Sequence, residues 1–286
     1  MPESSEVRTK KRRKPRLDTL VPDLILLALC AVAFAHGVRV TAHLDWPYDL
    51  DQYRDVGIAQ SFLDGQYPND YLLLDETISY PPLTAALVAS VSAITGSPPH
   101  VVDTRLGAYL NLLIPLCFYW LIARMFGRWA ALAATAYLLF AVPVDAPSWA
   151  HATYSPWLFA PTFAQCLFYL TLLAYRRMRR TRRRSWAVVT GVALGITFLG
   201  HVVPAVLLGC VIVAVTGASL FRLWRRRKRR PSRYRNRGRS ELADLMLIVA
   251  VAFVVGLPLG FSLIGHHHLK VENPLATYWN WEYLQL

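Results

Sequence analysis

Acidic residues are few in this chain and almost missing from its long apolar stretches: 18 Asp and Glu stand against 31 Lys and Arg among 286 residues. Paired ionisable groups at membrane depth mark transport pathways, and their scarcity there argues against a transporter. Cysteine is scarcer still, with four residues, Cys30, Cys117, Cys166 and Cys210, each inside an apolar stretch. That spread excludes a disulfide framework and a thiolate metal site, and reads as small buried side chains. The N-terminal apolar run, residues 24–42, lacks a convincing small-residue cleavage site, so it reads as a retained helix rather than a removed leader.

Apolar residues, by contrast, make up 55% of the chain. With a mean hydropathy of +0.31, this exceeds the apolar share of soluble domains and predicts an all-α polytopic membrane protein. The formal charge of +13 invites a nucleic-acid reading, but 25 of the 31 bases fall in three runs, 8–16, 176–184 and 222–239. Each run flanks an apolar segment, so the excess of positive charge in cytoplasmic loops accounts for them, and no nucleic-acid partner is expected.

After the first helix, apolar segments cover residues 105–123, 129–144, 156–175, 186–221 and 242–264. A crossing takes about 20 residues, so 186–221 is too long for one and predicts a helical hairpin turning near Gly200, His201 and Pro204. Residues 81–96 are apolar but short. If they crossed, the arginines of 176–184 would face outward, so they are expected to form an outer juxtamembrane helix. About seven crossings result. Residues 1–19 form a basic cytoplasmic tail, 20–265 a transmembrane module with an outer loop at 43–104, and 266–286 an extracytoplasmic tail.

This arrangement places twelve of the 18 acids outside, eight of them between Asp45 and Glu76. Within YDLDQYRDVGIAQSFLDG the apolar spacing predicts a short amphipathic helix over 49–63, stopped by Gly65. Asp49 and Gln52 match a capping box, which makes Asp49 a helix cap as well as a candidate functional acid. Asp51 and Asp55, four apart, share a face at a cost of a few tenths of a kcal/mol unless a base such as Arg54 offsets it.

The basic N-terminus, the single helix, the acidic loop D-x-D-x-Y-R-D, the following L-x-x-G-x-Y and the Y-P-P-L of Tyr80 to Leu83 together resemble the GT-C superfamily of membrane glycosyltransferases. The resemblance implies a polyprenyl-phosphate-linked sugar as donor and a glycan, lipid or protein as acceptor. It further implies a seven-helix module with juxtamembrane helices in the first outer loop, an integral location in the plasma membrane and an active site on the extracytoplasmic face. Members usually continue beyond a seventh crossing, so a chain ending at Leu286 is expected to be a fragment, a short member or one part of a larger assembly.

Carried onto this chain, the first-loop carboxylate of the family best matches Asp51, with Asp49 second. Asp145 and His151, in DAPSWAHATYSP, occupy the second outer loop. Polyprenyl phosphate is a workable leaving group, so one positioned carboxylate suffices as general base. Alternatively a divalent cation, Mg²⁺ or Mn²⁺, held by Asp51 and Asp145 would neutralise the departing phosphate. Bases are rare outside, which makes Arg54, His201 and His266 the candidates for the donor phosphate; His201 reads equally as a helix cap. A non-catalytic lipid-binding, scaffold or transport component is the alternative function.

Overall fold

The computed structural model describes residues 20–71, 76–140, 154–227 and 231–266. Among these residues ten α-helices follow one another: α1 (Val21–Thr41), α2 (Leu50–Leu63), α3 (Leu83–Thr95), α4 (Pro99–Leu110), α5 (Leu113–Phe126), α6 (Arg128–Phe140), α7 (Ala160–Thr181), α8 (Arg184–Gly200), α9 (Val202–Arg227) and α10 (Pro231–Phe261), which runs into a π-helical turn at Ser262–His266. Among the described residues there is no strand, only an isolated antiparallel bridge between Asn69 and Thr77. Among the described residues four helical stretches are long and apolar enough to cross a membrane: Val21–Thr41, Pro99–Phe126, Val202–Arg225 and Arg237–Ile264. This is consistent with the α-helical membrane protein expected from composition. The second stretch joins α4 and α5, separated only by the turn at Asn111 and Leu112.

Local chemistry sets the helix ends. Proline opens α1 and α4, where its missing N–H costs nothing. Asp49 is the N-cap of α2, its carboxylate accepting from the Asp51 amide at 2.9 Å. Gly96, with φ +70°, closes α3 in the left-handed conformation that a Cβ disfavours. Residues 81–96 thus yield a 13-residue helix, too short to span.

The expected hairpin forms with a one-residue hinge. His201 is extended, at φ −167° and ψ 135°, and divides α8 from α9. Pro204 explains the break: within a continuous helix its ring would meet the Gly200 carbonyl and offer it no donor. The two limbs then run antiparallel. Tyr175, Met178 and Ala187 cluster with Ile212, and the Tyr175 hydroxyl lies 2.8 Å from Thr216 Oγ1.

Small residues let α8 and α10 lie side by side in parallel. A Cβ on Gly191 would come within 2.8 Å of the Ile248 carbonyl, and one on Gly195 within 2.9 Å of that of Ala252. One end of the bundle is basic. There Glu241, nearly fully buried, takes Arg182 at 2.8 Å and Arg179 at 3.2 Å, while Asp23 at the start of α1 takes Arg128 at the start of α6. At the opposite end lie α2, α3 and the π-helical turn after α10, whose Ser262 hydroxyl donates to the Ile78 carbonyl at 2.9 Å.

Candidate functional site

The acid-rich end is built around α2, which rests on α3 and α4. Ile58 and Ala59 of α2 join Ala85, Val88 and Ala89 of α3 and Val102 of α4 in the main apolar cluster. This rotation of α2 decides which of its carboxylates is buried. Asp55 is 2% exposed, whereas the Asp51 side chain is 55% exposed. The face that Asp51 and Asp55 were expected to share is thus split by packing: the carboxylate turned inward is Asp55, and Asp51 sits at the rim.

Arg54 joins the two. Its Nη1 donates to Asp51 Oδ1 at 2.8 Å, and its Nε and Nη2 both donate to Asp55 Oδ1 at 3.1 Å. The guanidinium carbon stands 3.3 Å from the centroid of the Tyr80 ring, a cation–π contact. Thus the like-charge conflict at Asp51 and Asp55 is offset by the base between them. Burial pushes the Asp55 carboxyl up to about 6, against the opposing pull of the Arg54 charge and hydrogen bond. Burial also raises the Tyr80 phenol, again opposed by Arg54.

Beneath this pair lies a second acid. Asp103 of α4 is fully buried and accepts from Gln52 Nε2 at 3.1 Å. Gln52 therefore does not complete a capping box with Asp49: its amide is drawn through the α2–α4 contact to Asp103, and Asp49 caps α2 alone. Gln52 Oε1 and Asp103 Oδ1 have no protein partner among the described residues. Sequence reasoning passed over Asp103. The available signal was a carboxylate inside the PHVVDTRLGAYL helix, where solvation cannot compensate burial.

His201, at the hinge between α8 and α9, reaches the same end. Its ring centroid is 6.5 Å from that of Tyr80, and its Nδ1 accepts from the Val203 amide at 3.3 Å. The capping role is therefore present, leaving Nε2 as the second ring atom. Burial lowers the imidazole's affinity for a proton, and the charge of Arg54 lowers it further. Arg105, another base at this end, is held by Asp45 at 2.9 Å and by the Leu44 carbonyl.

The structure brings Asp49, Asp51, Arg54 and His201 to one end. Asp145 and His151 lie outside the described residues, as does the side chain of His266. The segment that follows residue 153 is nevertheless anchored beside the site. Asn111 Nδ2 donates to the Ser155 and Trp157 carbonyls, each at 2.8 Å, and a Cβ on Gly107 would stand 2.5 Å from the backbone at Pro156 and Leu158.

Aromatic rings line the rim next to α2. Trp46 stacks on His100 with centroids 4.1 Å apart, and Tyr48 meets Trp157 edge-on at 4.6 Å. Of the pair expected to hold a cation, Asp51 is described and Asp145 is not. No group of three His, Cys, Asp or Glu converges among the described residues, and the space between Asp51 and Asp55 is filled by the Arg54 guanidinium. In comparisons with protein-family models, curated proteins and solved structures, the chain matches none of them.

Proposed function

We propose that this chain is an integral membrane glycosyltransferase that moves a sugar from a polyprenyl-phosphate donor to a glycan, lipid or protein acceptor at the extracytoplasmic face. The observation that carries the reading is the Asp51–Arg54–Asp55 array, mounted on a short helix between α1 and α4 at the end opposite the arginines. A polar array beside apolar helices suits a substrate with a charged head and a polyprenyl tail. Aromatic rings at the rim suit stacking against a sugar.

In the proposed reaction the acceptor hydroxyl attacks the anomeric carbon as the bond to the phosphate oxygen breaks. The phosphate departs with the electron pair, and Asp51 takes the hydroxyl proton. Asp51 suits this task because only its Oδ1 is engaged, by Arg54, and because it stands at the rim where an acceptor arrives. Asp49, occupied in capping α2, is the second candidate. Arg54 holds Asp51 and lends positive charge for the departing phosphate, and His201 offers Nε2 nearby.

The proposed topology has α1, the joined α4 and α5, α6, α7, α8, α9 and α10 as seven crossings of the plasma membrane, with the N-terminus cytoplasmic. Alternation of the helix ends between the basic and acidic sides supports it, with α3 lying at the acidic end and not taking part in that alternation. The test is incubation of the purified full chain, in lipid, with a panel of radiolabelled polyprenyl-phosphate sugars. Transfer to an acceptor, or donor hydrolysis, is expected. The reading fails if every donor stays intact while the protein is folded.

A further inference from the structure

Far from the acidic cluster, at the basic end, α5, α7 and α8 enclose a groove of about 590 Å³. Its mouth carries four guanidinium groups, Arg124 from α5 and Arg176, Arg177 and Arg180 from α7. Two tryptophans flank them: Arg124 lies 6.0 Å from the Trp120 ring and Arg177 5.8 Å from that of Trp186. None of the four makes an ion pair with a carboxylate among the described residues. The neighbouring Arg179 and Arg182 behave differently, being drawn to buried Glu241. Arg176 also donates to the Arg124 carbonyl, which ties α7 to α5 at the mouth.

Below the mouth the lining turns apolar. Leu170 and Leu173 continue up α7, and Val189 and Ala193 continue up α8. Leu170 is six residues from Arg176, or roughly 9 Å along the helix axis at 1.5 Å per residue. The groove therefore grades from four unpaired cations, through a tryptophan belt, to a hydrocarbon wall, in the direction that leads away from the basic end.

We infer that this groove binds an anionic phospholipid of the leaflet at the arginine end, with its phosphate among Arg124, Arg176, Arg177 and Arg180 and an acyl chain along Leu170, Leu173, Val189 and Ala193. Charge complementarity selects the head group. Unpaired cations gathered from two helices seek an anion, whereas a run that merely sets topology has no need of one shared cavity. The apolar wall selects a lipid over free phosphate, because a soluble ion leaves it uncovered. The volume falls within the range of about 300–1,000 Å³ typical of small-molecule sites. Tryptophan and arginine also pair naturally at the depth where head groups meet hydrocarbon. This site is independent of the proposed transferase chemistry and stands or falls without it.

The test is native mass spectrometry of the full chain released from micelles containing phosphatidylglycerol or phosphatidylcholine. The wild type is expected to retain phosphatidylglycerol, and phosphatidylcholine far less. Removing two guanidiniums in Arg177→Gln/Arg180→Gln should weaken retention about thirtyfold, given the usual worth of each base near an anionic lipid. Arg222→Gln/Arg225→Gln, an equal charge change on α9 outside the groove, should leave it unaltered. Ala193→Trp keeps every charge, fills the apolar wall and should also expel the lipid, which preserves the test if the arginine variant fails to fold. Equal loss in the two arginine pairs would reduce the groove to diffuse surface charge. Equal retention of phosphatidylcholine, full retention by Ala193→Trp, or displacement of the lipid by millimolar inorganic phosphate would each overturn the assignment.

Discussion

Arg54 and Tyr80 meet at 3.3 Å, guanidinium carbon to ring centroid, and the same guanidinium bridges a buried carboxylate, Asp55, to an exposed one, Asp51. One side chain therefore serves three partners. Arg54→Gln removes the charge that compensates Asp55 and should cost about 3–5 kcal/mol, the usual result of leaving one member of a buried pair unpartnered. Arg54→Gln/Asp55→Asn should recover much of that loss. Thermal unfolding in detergent decides it, and a wild-type transition for Arg54→Gln alone would contradict the bridge.

Asp55 also makes stability depend on pH. Its carboxyl titrates at about 6 in the fold and at 3.8 as a free side chain, so between those values the native state binds more protons than the unfolded chain. Stability should therefore fall as pH rises from about 4 to about 6, by about 3 kcal/mol in all, and then level off. Asp55→Asn should flatten that part of the curve. Chemical denaturation at a series of pH values measures both.

Asp49 and Asp51 are two residues apart, and the proposed reaction gives them separable tasks. Asp49→Ala deletes the cap bond to the Asp51 amide and should cost about 1 kcal/mol while leaving catalysis largely in place. Asp51→Asn, at an exposed rim position, should leave unfolding unchanged and lower transfer about 10²- to 10⁴-fold as the loss of a general base. Full transfer activity in Asp51→Asn would remove it from the chemistry.

Gly107 touches backbone, which cannot move aside as a flexible side chain would. Gly107→Ala places a Cβ 2.5 Å from the Pro156 carbonyl oxygen and the Leu158 amide nitrogen. The substitution should cost roughly 1–3 kcal/mol and loosen the segment at residues 154–159 from α4. Faster proteolysis near that segment, together with a lowered unfolding temperature, is the expected signature. An unaffected variant would mean that the approach is not close.

Sidedness is open to cysteine labelling in a Cys210→Ser background, since Cys30, Cys117 and Cys166 are buried. Ile94, 84% exposed on α3, is a better reporter than its buried neighbour Ser92. Ile94→Cys should react with an impermeant maleimide from outside or lie in lipid near that face, and Arg183→Cys should react only from the cytoplasm. External labelling at position 183 would overturn the proposed topology.

The sequence by itself determined what depends on neighbours along the chain. Runs of apolar residues marked the helical segments, Pro204 and Gly200 located the break that the structure puts at His201, and Asp49 was legible as a cap because capping is a bond between residues two or three apart. Residues 81–96 were legible as a short helix, and the structure gives it 13 residues. Which carboxylate of α2 is buried was decided only by tertiary packing. Asp51 and Asp55 are equivalent in local pattern, and the docking of Ile58 and Ala59 against α3 and α4 turns Asp55 inward and leaves Asp51 at the rim. Gln52 likewise leaves its local partner for Asp103, 51 residues away, because burial makes an unpaired carboxylate costlier than a missing cap bond. The groove at the basic end follows the same rule: the arginines read as one uniform run, and only the position of Glu241 separates those that are neutralised from those that are not.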